Sequence, residues 1–322
     1  MAAAVEEIRA EKLLKDLANV WKELNQTETN YAVVRACSMT LLVVTTGDGD
    51  EQDLAGTLGD LMHSHPCRYI VLRLVDTPEP EFAARVFAHC QLAFGRRQQL
   101  CCEQIEFTAT RDRIPDFYAV ALGLTVADLP VLLWVRDARL LAEPELAQIL
   151  PLARPLIVDS AQFVDAKSGL ADLEKRRQAG WRIKDLAWSR LTVWRETIAQ
   201  MFETSGCRNL VNRVDRIEVK GRFGPTGSDV QYLAAWLSER VPGAAITATG
   251  SGVQRIRLVA GGQRLEVNDA GEALVATTLD GMVTRVPDPV RSDASLLEEE
   301  LSILGPDPIY DATLRAVARL TH

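Results

Sequence analysis

At 322 residues the chain is too long for one ordinary core and suits two domains, each able to bury enough apolar surface to fold. Hydrophobic residues at 47% and charged residues at 25% give the balance of a soluble globular protein, and no apolar run approaches the roughly twenty residues of a membrane span. A net charge of −8 argues against duplex nucleic acid or a membrane surface as the main partner, because such sites depend on a field of Lys and Arg.

The N-terminal MAAAVEEIRAEKLLKDL is acidic and helically periodic and lacks a basic start before an apolar run, so it does not read as a signal peptide and a cytoplasmic location is expected. Residues 11–24 place Leu13, Leu14, Leu17, Val20, Trp21 and Leu24 on one helical face that must dock on something. A β-branched run, Met39 to Thr46, is followed by a helical stretch from Asp53 to Met62, and Tyr69 to Val75 is continuously apolar, as in a strand covered on both faces. A helix is expected around Pro80 to Ala93, then a strand over Gln104–Thr110, a helix near Pro115–Leu122, and strands at Val131–Val135 and Leu156–Val158. Strands alternating with helices predict a doubly wound, mainly parallel sheet, since parallel neighbours require a crossover.

The chain from Ala171 to Phe202 reads as mostly helical. Trp181–Phe202 crowds three of the six tryptophans into fourteen positions with arginines beside them. Asp185 stands where an N-cap would, and Trp188, Leu191, Ile198 and Phe202 share one stripe. Arg190 and Trp194 are four apart, as are Leu191 and Arg195, which sets an aromatic and guanidinium surface beside the apolar one. Trp and Arg are frequent anchors of protein interfaces; the other reading is that these tryptophans fill a core while the arginines pair with carboxylates.

Beyond Thr204-Ser205-Gly206 the pattern changes. A strand at Arg216–Lys220 and a helix at Asp229–Arg240 precede brief strands, Ala245–Thr249, Gln254–Val259, Gln263–Asn268, Ala273–Leu279 and a piece near Val283, separated by glycine turns. This predicts an α+β domain with a largely antiparallel sheet. The tail is helical: Ser295 and Glu298 have capping-box spacing, Gly305 and Pro306 stop one helix, and Pro308 starts another with Tyr310, Leu314 and Val317 on its apolar face. Three segments follow, namely residues 1–30 as an N-terminal helix, 31–203 as the α/β domain ending in the Trp-Arg segment, and 204–322 as the α+β domain.

Candidate chemistry is sparse. The turn TTGDGDEQDL carries aspartates and a glutamate where a dinucleotide-binding chain has spaced glycines against a pyrophosphate, so no cofactor is expected. His63, His65 and Cys67 alternate, yet no fourth ligand stands nearby and a solvated turn is the simpler account. The cysteines are expected to be reduced, with Cys101 and Cys102 either inert or a redox pair working through a distant cysteine or a dithiol carrier. The loop GRFGPTGSD, with Arg222, Gly224, Gly227 and Ser228 as N-cap of the next helix, is the best anion site in the sequence. None of the four histidines lies in a nucleophile elbow.

The string DLAWSRLTVWR, with its following Ile-Ala-Gln-Met-Phe, resembles the glucose-6-phosphate dehydrogenase assembly protein family, OpcA. GRRQQLCCEQIEF, DLPVLLWVRD, Asp159-Ser160 and LSILGPDPIY are similar to that family's pattern in the same order, from roughly Cys37 to the C-terminus. The resemblance implies a non-catalytic effector that docks on glucose-6-phosphate dehydrogenase and favours its active oligomer, with Trp188, Arg190, Trp194 and Arg195 as expected contacts. A different class of reading is a sugar-phosphate or nucleotide enzyme using the Gly224–Asp229 loop.

Overall fold

A computed structural model describes residues 8–27, 32–47, 51–92, 98–203, 207–222, 226–250, 252–278 and 281–320. The chain divides into two compact units, residues 1–158 with 293–301, and residues 159–292 with 302–322.

The first unit starts with α1 (Ala10–Thr27), whose Leu13 and Leu17 are buried and which lies against β4 and α3 of the same unit. Its elements continue as β1 (Ala32–Arg35), β2 (Met39–Thr46), α2 (Glu51–Leu61), β3 (Cys67–Leu74), β4 (Phe82–Leu92), β5 (Gln98–Ala109), α3 (Ile114–Leu124), β6 (Val131–Val135) and β7 (Pro155–Val158). Strand order is β1-β5-β3-β2-β6-β7, each neighbouring pair parallel, with β4 antiparallel on β5. Residues Met39–Thr45 and all of β3 are buried, which explains why those runs read as continuously apolar rather than alternating.

Two charged ladders cross this sheet's interior. Glu103 of β5 receives Arg68 of β3 at 2.6 Å, its register partner, together with Arg35 at 2.7 Å and the Trp21 indole at 2.7 Å. Glu106 likewise holds Arg73 at 3.0 Å and Arg85 at 2.9 Å. Because both carboxylates are almost wholly buried, every lone pair filled this way offsets a desolvation cost.

The segment expected as a helix around residues 80–93 is instead strand β4. Its alanines favour a helix, but Phe82, Val86 and Phe87 favour a strand, and eleven residues of cross-strand register with β5 supply the backbone's partners.

The second unit contains α4 (Ala166–Gln178), β8 (Arg182–Asp185), α5 (Leu186–Ser189), α6 (Thr192–Glu203), β9 (Val214–Lys220), α7 (Ser228–Arg240) and strands β10 (Ala245–Thr249), β11 (Arg255–Ala260), β12 (Gln263–Asp269), β13 (Ala273–Thr277) and β14 (Val283–Pro287). Then come α8 (Asp293–Ser302), which belongs to the first unit through Leu301, and α9 (Pro308–Leu320) in the second. The sheet order is β10-β9-β11-β12-β13-β14, antiparallel except where β10 runs parallel to β9. The fold is therefore α/β, a mainly parallel sheet plus a separate, largely antiparallel one.

Three local expectations differ. The Trp-Arg segment is a strand and two helices rather than one, because the Trp188 carbonyl accepts from Leu191 N–H at 3.0 Å and from the Arg195 guanidinium at 2.7 Å, turning the chain at Arg190. Helix α8 begins at Asp293, which puts Ser295 inside its first turn and not at the cap. The division falls after Val158, well before residue 203, since α4 packs with α7 and α9, α5 with α7, and α6 with β12 and β13 of the second unit. Among the described residues no helix is long and apolar enough to cross a membrane.

Candidate functional site

Everything about the Trp-Arg segment follows from where Asp185 ends β8. Its carboxylate caps α5 by accepting from Ala187 N–H at 2.9 Å, and it also accepts from Ser160 N–H at 3.0 Å and the Tyr232 hydroxyl at 2.6 Å. The group is fully buried, and burial, with Asp159 nearby, raises its pKa to about 6. Burial and the neighbouring Asp185 push the Tyr232 hydroxyl up as well, so it stays a donor.

One turn later Trp188 is 3% exposed. Its ring meets Tyr232 edge-on at 5.6 Å and Tyr310 at 5.8 Å, its indole N–H donates to Asp307 at 3.3 Å, and the Arg195 guanidinium lies 3.5 Å from its centroid. Arg195 is held there by the Trp188 carbonyl and by Thr192 Oγ1 at 3.1 Å. Trp194 is also 3% exposed and donates to Asp288. Trp188 and Trp194 are thus buried within the unit and Arg195 is half-buried over the Trp188 ring, a cation on a ring face being a core solution as well as an interface one.

Arg190, also half-buried, reaches a pocket that Leu191 and Trp194 line as well. It grips Asp159 through two hydrogen bonds of 2.7 Å yet keeps 34% of its side chain exposed, lining that pocket of about 410 Å³. The pocket is bounded by this segment, the start of α7 and the residues after β14, all within the second unit.

The expected anion loop meets the same pocket but is built differently. Gly227, not Ser228, is the N-cap of α7; Ser228 is buried and its hydroxyl donates to the Ser160 carbonyl at 2.5 Å. Arg222 pairs with Asp269 at 2.5 Å. The Asp229 carboxylate takes the backbone N–H groups of Val230 and Arg222, filling the position an anion would take, and burial raises its pKa. Gly224 lies outside the described residues.

In the first unit Cys101 is joined to Cys90, its register partner across β4 and β5, so the expectation that all cysteines are reduced is corrected. Sequence spacing could not show this while 80–93 was read as a helix. Cys102, on the opposite face of β5, is a buried free thiol whose pKa burial raises to about 11, a poor nucleophile. Titrating thiols in denaturant before reduction is expected to find Cys37, Cys67, Cys102 and Cys207 reactive and Cys90 and Cys101 silent; six reactive thiols would contradict the bridge. His63 is exposed, His65 half-buried, and the buried Cys67 thiol is turned to the His65 carbonyl at 2.9 Å, so its sulfur is directed into the chain. Among the described residues no cluster of three metal-capable side chains forms.

Sequence reasoning did not single out Asp288, Arg291 and Gln254, which line the pocket, or Tyr232 as the partner of Asp185. Only the apolar period of the helix bearing Tyr232 hinted at its burial.

Comparison with known proteins adds identity to this geometry. A relative from Nostoc punctiforme, named an OxPP cycle protein OpcA, is 26% identical over 61% of this chain and 43% of its own length. One from Synechocystis sp., with the same name, is 28% identical over 58% of this chain and 39% of its own. The chain therefore spans less than half the length of these curated relatives. Among solved structures, a mutant of the 3-ketoreductase KijD10 from Actinomadura kijaniata, in complex with TDP-benzene and NADP, overlays 88% of this chain and 96% of its own with a TM-score of 0.48 and 11% identity. An oxidoreductase from Thermotoga maritima covers 88% of this chain and 94% of its own at 0.44 and 10%. Likeness this distant carries no argument about activity. Two family profiles match in succession, the glucose-6-phosphate dehydrogenase subunit N-terminal domain over residues 59–176 and the corresponding C-terminal domain over 169–314, and with the relatives' names they show that the chain belongs to the OpcA family.

Proposed function

We propose that this protein binds glucose-6-phosphate dehydrogenase and favours its active oligomeric arrangement, with no turnover of its own. The observation that carries the reading is the pair of family matches over residues 59–314, both described as subunit domains of that dehydrogenase. An activator of this kind works by binding the active arrangement better than the inactive one, and the ratio of the two affinities sets how far activity rises. Within the Trp-Arg segment Arg190 and Trp194 both line the pocket and are the members able to touch a partner there. Trp188 and Arg195 support them by fixing the turn between α5 and α6.

Titration of the dehydrogenase from the same organism with the purified chain is expected to give saturable activation and co-elution of the two on gel filtration. A dehydrogenase that neither co-elutes nor changes activity would sink the reading.

A further inference from the structure

The second unit's sheet hides one face and leaves the other in water. Helices α6 and α7 pack on it, and burial alternates along its strands: Ile217, Val219, Ile256, Leu258, Leu265 and Val267 are buried, while Glu218, Arg257 and Glu266 between them are not. Strand register sorts the open face into rows. One row runs Thr249, Lys220, Arg255, Asn268, Val275 and Arg285 across β10, β9, β11, β12, β13 and β14. The next runs Thr247, Glu218, Arg257, Glu266, Thr277 and Val283. A third sets Arg216 and Arg264 on either side of Val259.

The charges on these rows do not balance. Both acids belong to the middle row and are already engaged: Arg257 donates to Glu218 at 3.0 Å and to Glu266 at 2.8 Å, Arg216 stands 4.0 Å from Glu218, and Asn268 donates to Glu266 at 2.9 Å. Lys220, Arg255, Arg264 and Arg285 have no ion-pair partner within 4.0 Å among the described residues. Arg255 reaches Glu266 through charge alone. Lys220 and Arg255 are direct register partners, and like charges set opposite one another weaken a sheet. The row therefore holds its cations at a cost to folding that an anion from outside the unit would relieve.

Three kinds of occupant compete for such a face, and its chemistry separates them. A second copy of the chain brings the same rows, and a two-fold contact would set cation against cation. Duplex nucleic acid or an anionic membrane presents unbroken negative charge, which Glu218 and Glu266 would repel, and a chain of net charge −8 lacks the field for it. A folded protein can place acids over the Lys220 row and neutral groups over the row of Thr247, Thr277 and Val283. The six strands span about 24 Å, the breadth of an ordinary protein interface.

We propose that this open face docks on an acidic patch of a folded protein, with Lys220, Arg255 and Arg285 as the charges that orient it. The proposal rests on the function argued above and names the face that carries the dehydrogenase's contact. Arg222, two residues beyond Lys220, and Gln254, one before Arg255, line the pocket beside Arg190, so the Lys220 row borders that pocket.

Full-length Lys220→Glu and Arg285→Glu, singly and together, test it against the dehydrogenase from the same organism. Lys220→Glu faces Arg255 with an opposite charge, so its melting temperature should hold or rise, and Arg285 is exposed on an edge strand. By surface plasmon resonance at low salt, the association rate should fall about tenfold in the double variant, with dissociation changed much less. The difference should close in about 1 M salt, where screening acts over about 3 Å. Wild-type association should itself slow as salt is added; association indifferent to salt overturns the proposal without any variant.

If the dehydrogenase binds the wild type and the double variant at the same rate, the docking face is elsewhere and the proposed function stands. If it ignores the wild type, while fluorescein-labelled poly-L-glutamate binds the wild type and not the double variant, the function falls and the acidic-partner face survives. Binding of neither overturns both. Duplex DNA or phosphatidylglycerol vesicles that bind the wild type and not the double variant, with dehydrogenase association unchanged, would make this a polyanion site and overturn the proposal.

Discussion

Asp185→Ala is expected to destabilise the second unit by about 3 kcal/mol or more, because it strips the acceptor from two buried amides, Ser160 and Ala187, and from the Tyr232 hydroxyl at once. Asp185→Asn is the informative control. One carboxylate oxygen serves both amides, and an asparagine carbonyl can take its place while the side-chain nitrogen faces the tyrosine oxygen. The Asn variant should therefore stay within about 1 kcal/mol of wild type at neutral pH.

The same pair predicts a pH effect with a definite sign. Folding raises the Asp185 pKa from 3.8 to about 6, so the folded state binds its proton more tightly than the unfolded chain does. The stability from this group is fully present below pH 3.8 and is lost as pH rises through about 6. A rise of that size is equivalent to roughly 3 kcal/mol at most. Urea melts at steps between pH 4 and pH 7 should show this downward contribution in the wild type and its absence in Asp185→Asn. Parallel pH profiles for the two proteins would show that Asp185 does not titrate in this range.

Trp188→Ala is expected to cost about 3–5 kcal/mol, the range for emptying a buried large aromatic site. Its ring is the centre of a cluster with Tyr232 and Tyr310, and removing it also leaves the Arg195 guanidinium without the face it covers. For a unit of this size the melting temperature should fall by about 10 °C. Trp188→Phe keeps a ring against the two tyrosines and should recover half of the loss or more. Calorimetry of both variants, with association measured well below their transitions, separates the roles. If Trp188→Ala melts like wild type but no longer binds the dehydrogenase, the ring is a contact and not a core residue.

These two residues show where local pattern sufficed and where it did not. Asp185 was legible as a cap because the requirement is local: an acceptor just before free helical N–H groups. Its second life, as acceptor for Ser160 and for Tyr232 forty-seven positions away, left no trace in spacing. Arg190 with Trp194 and Leu191 with Arg195 were legible as neighbours four apart, but the contact the fold makes, Arg195 on the Trp188 ring, was not, nor was which of these side chains faced solvent. The β4 segment failed for a related reason. Its alanines favour a helix while Phe82, Val86 and Phe87 favour a strand, and only the antiparallel partner β5 chose between them, which also concealed the bridge from Cys90 to Cys101.

By itself the sequence determined the two kinds of sheet, the buried runs of β2 and β3, the hairpin meander of β11 to β14 and the family, because periodicity, glycine turns and motif strings are properties of neighbouring residues. Tertiary structure alone decided that Trp188 and Trp194 are buried, that Asp229 fills the start of α7, and that Gln254 and three arginines line one opening. Burial and charge pairing depend on which distant segments meet, and a one-dimensional spacing does not hold that distance.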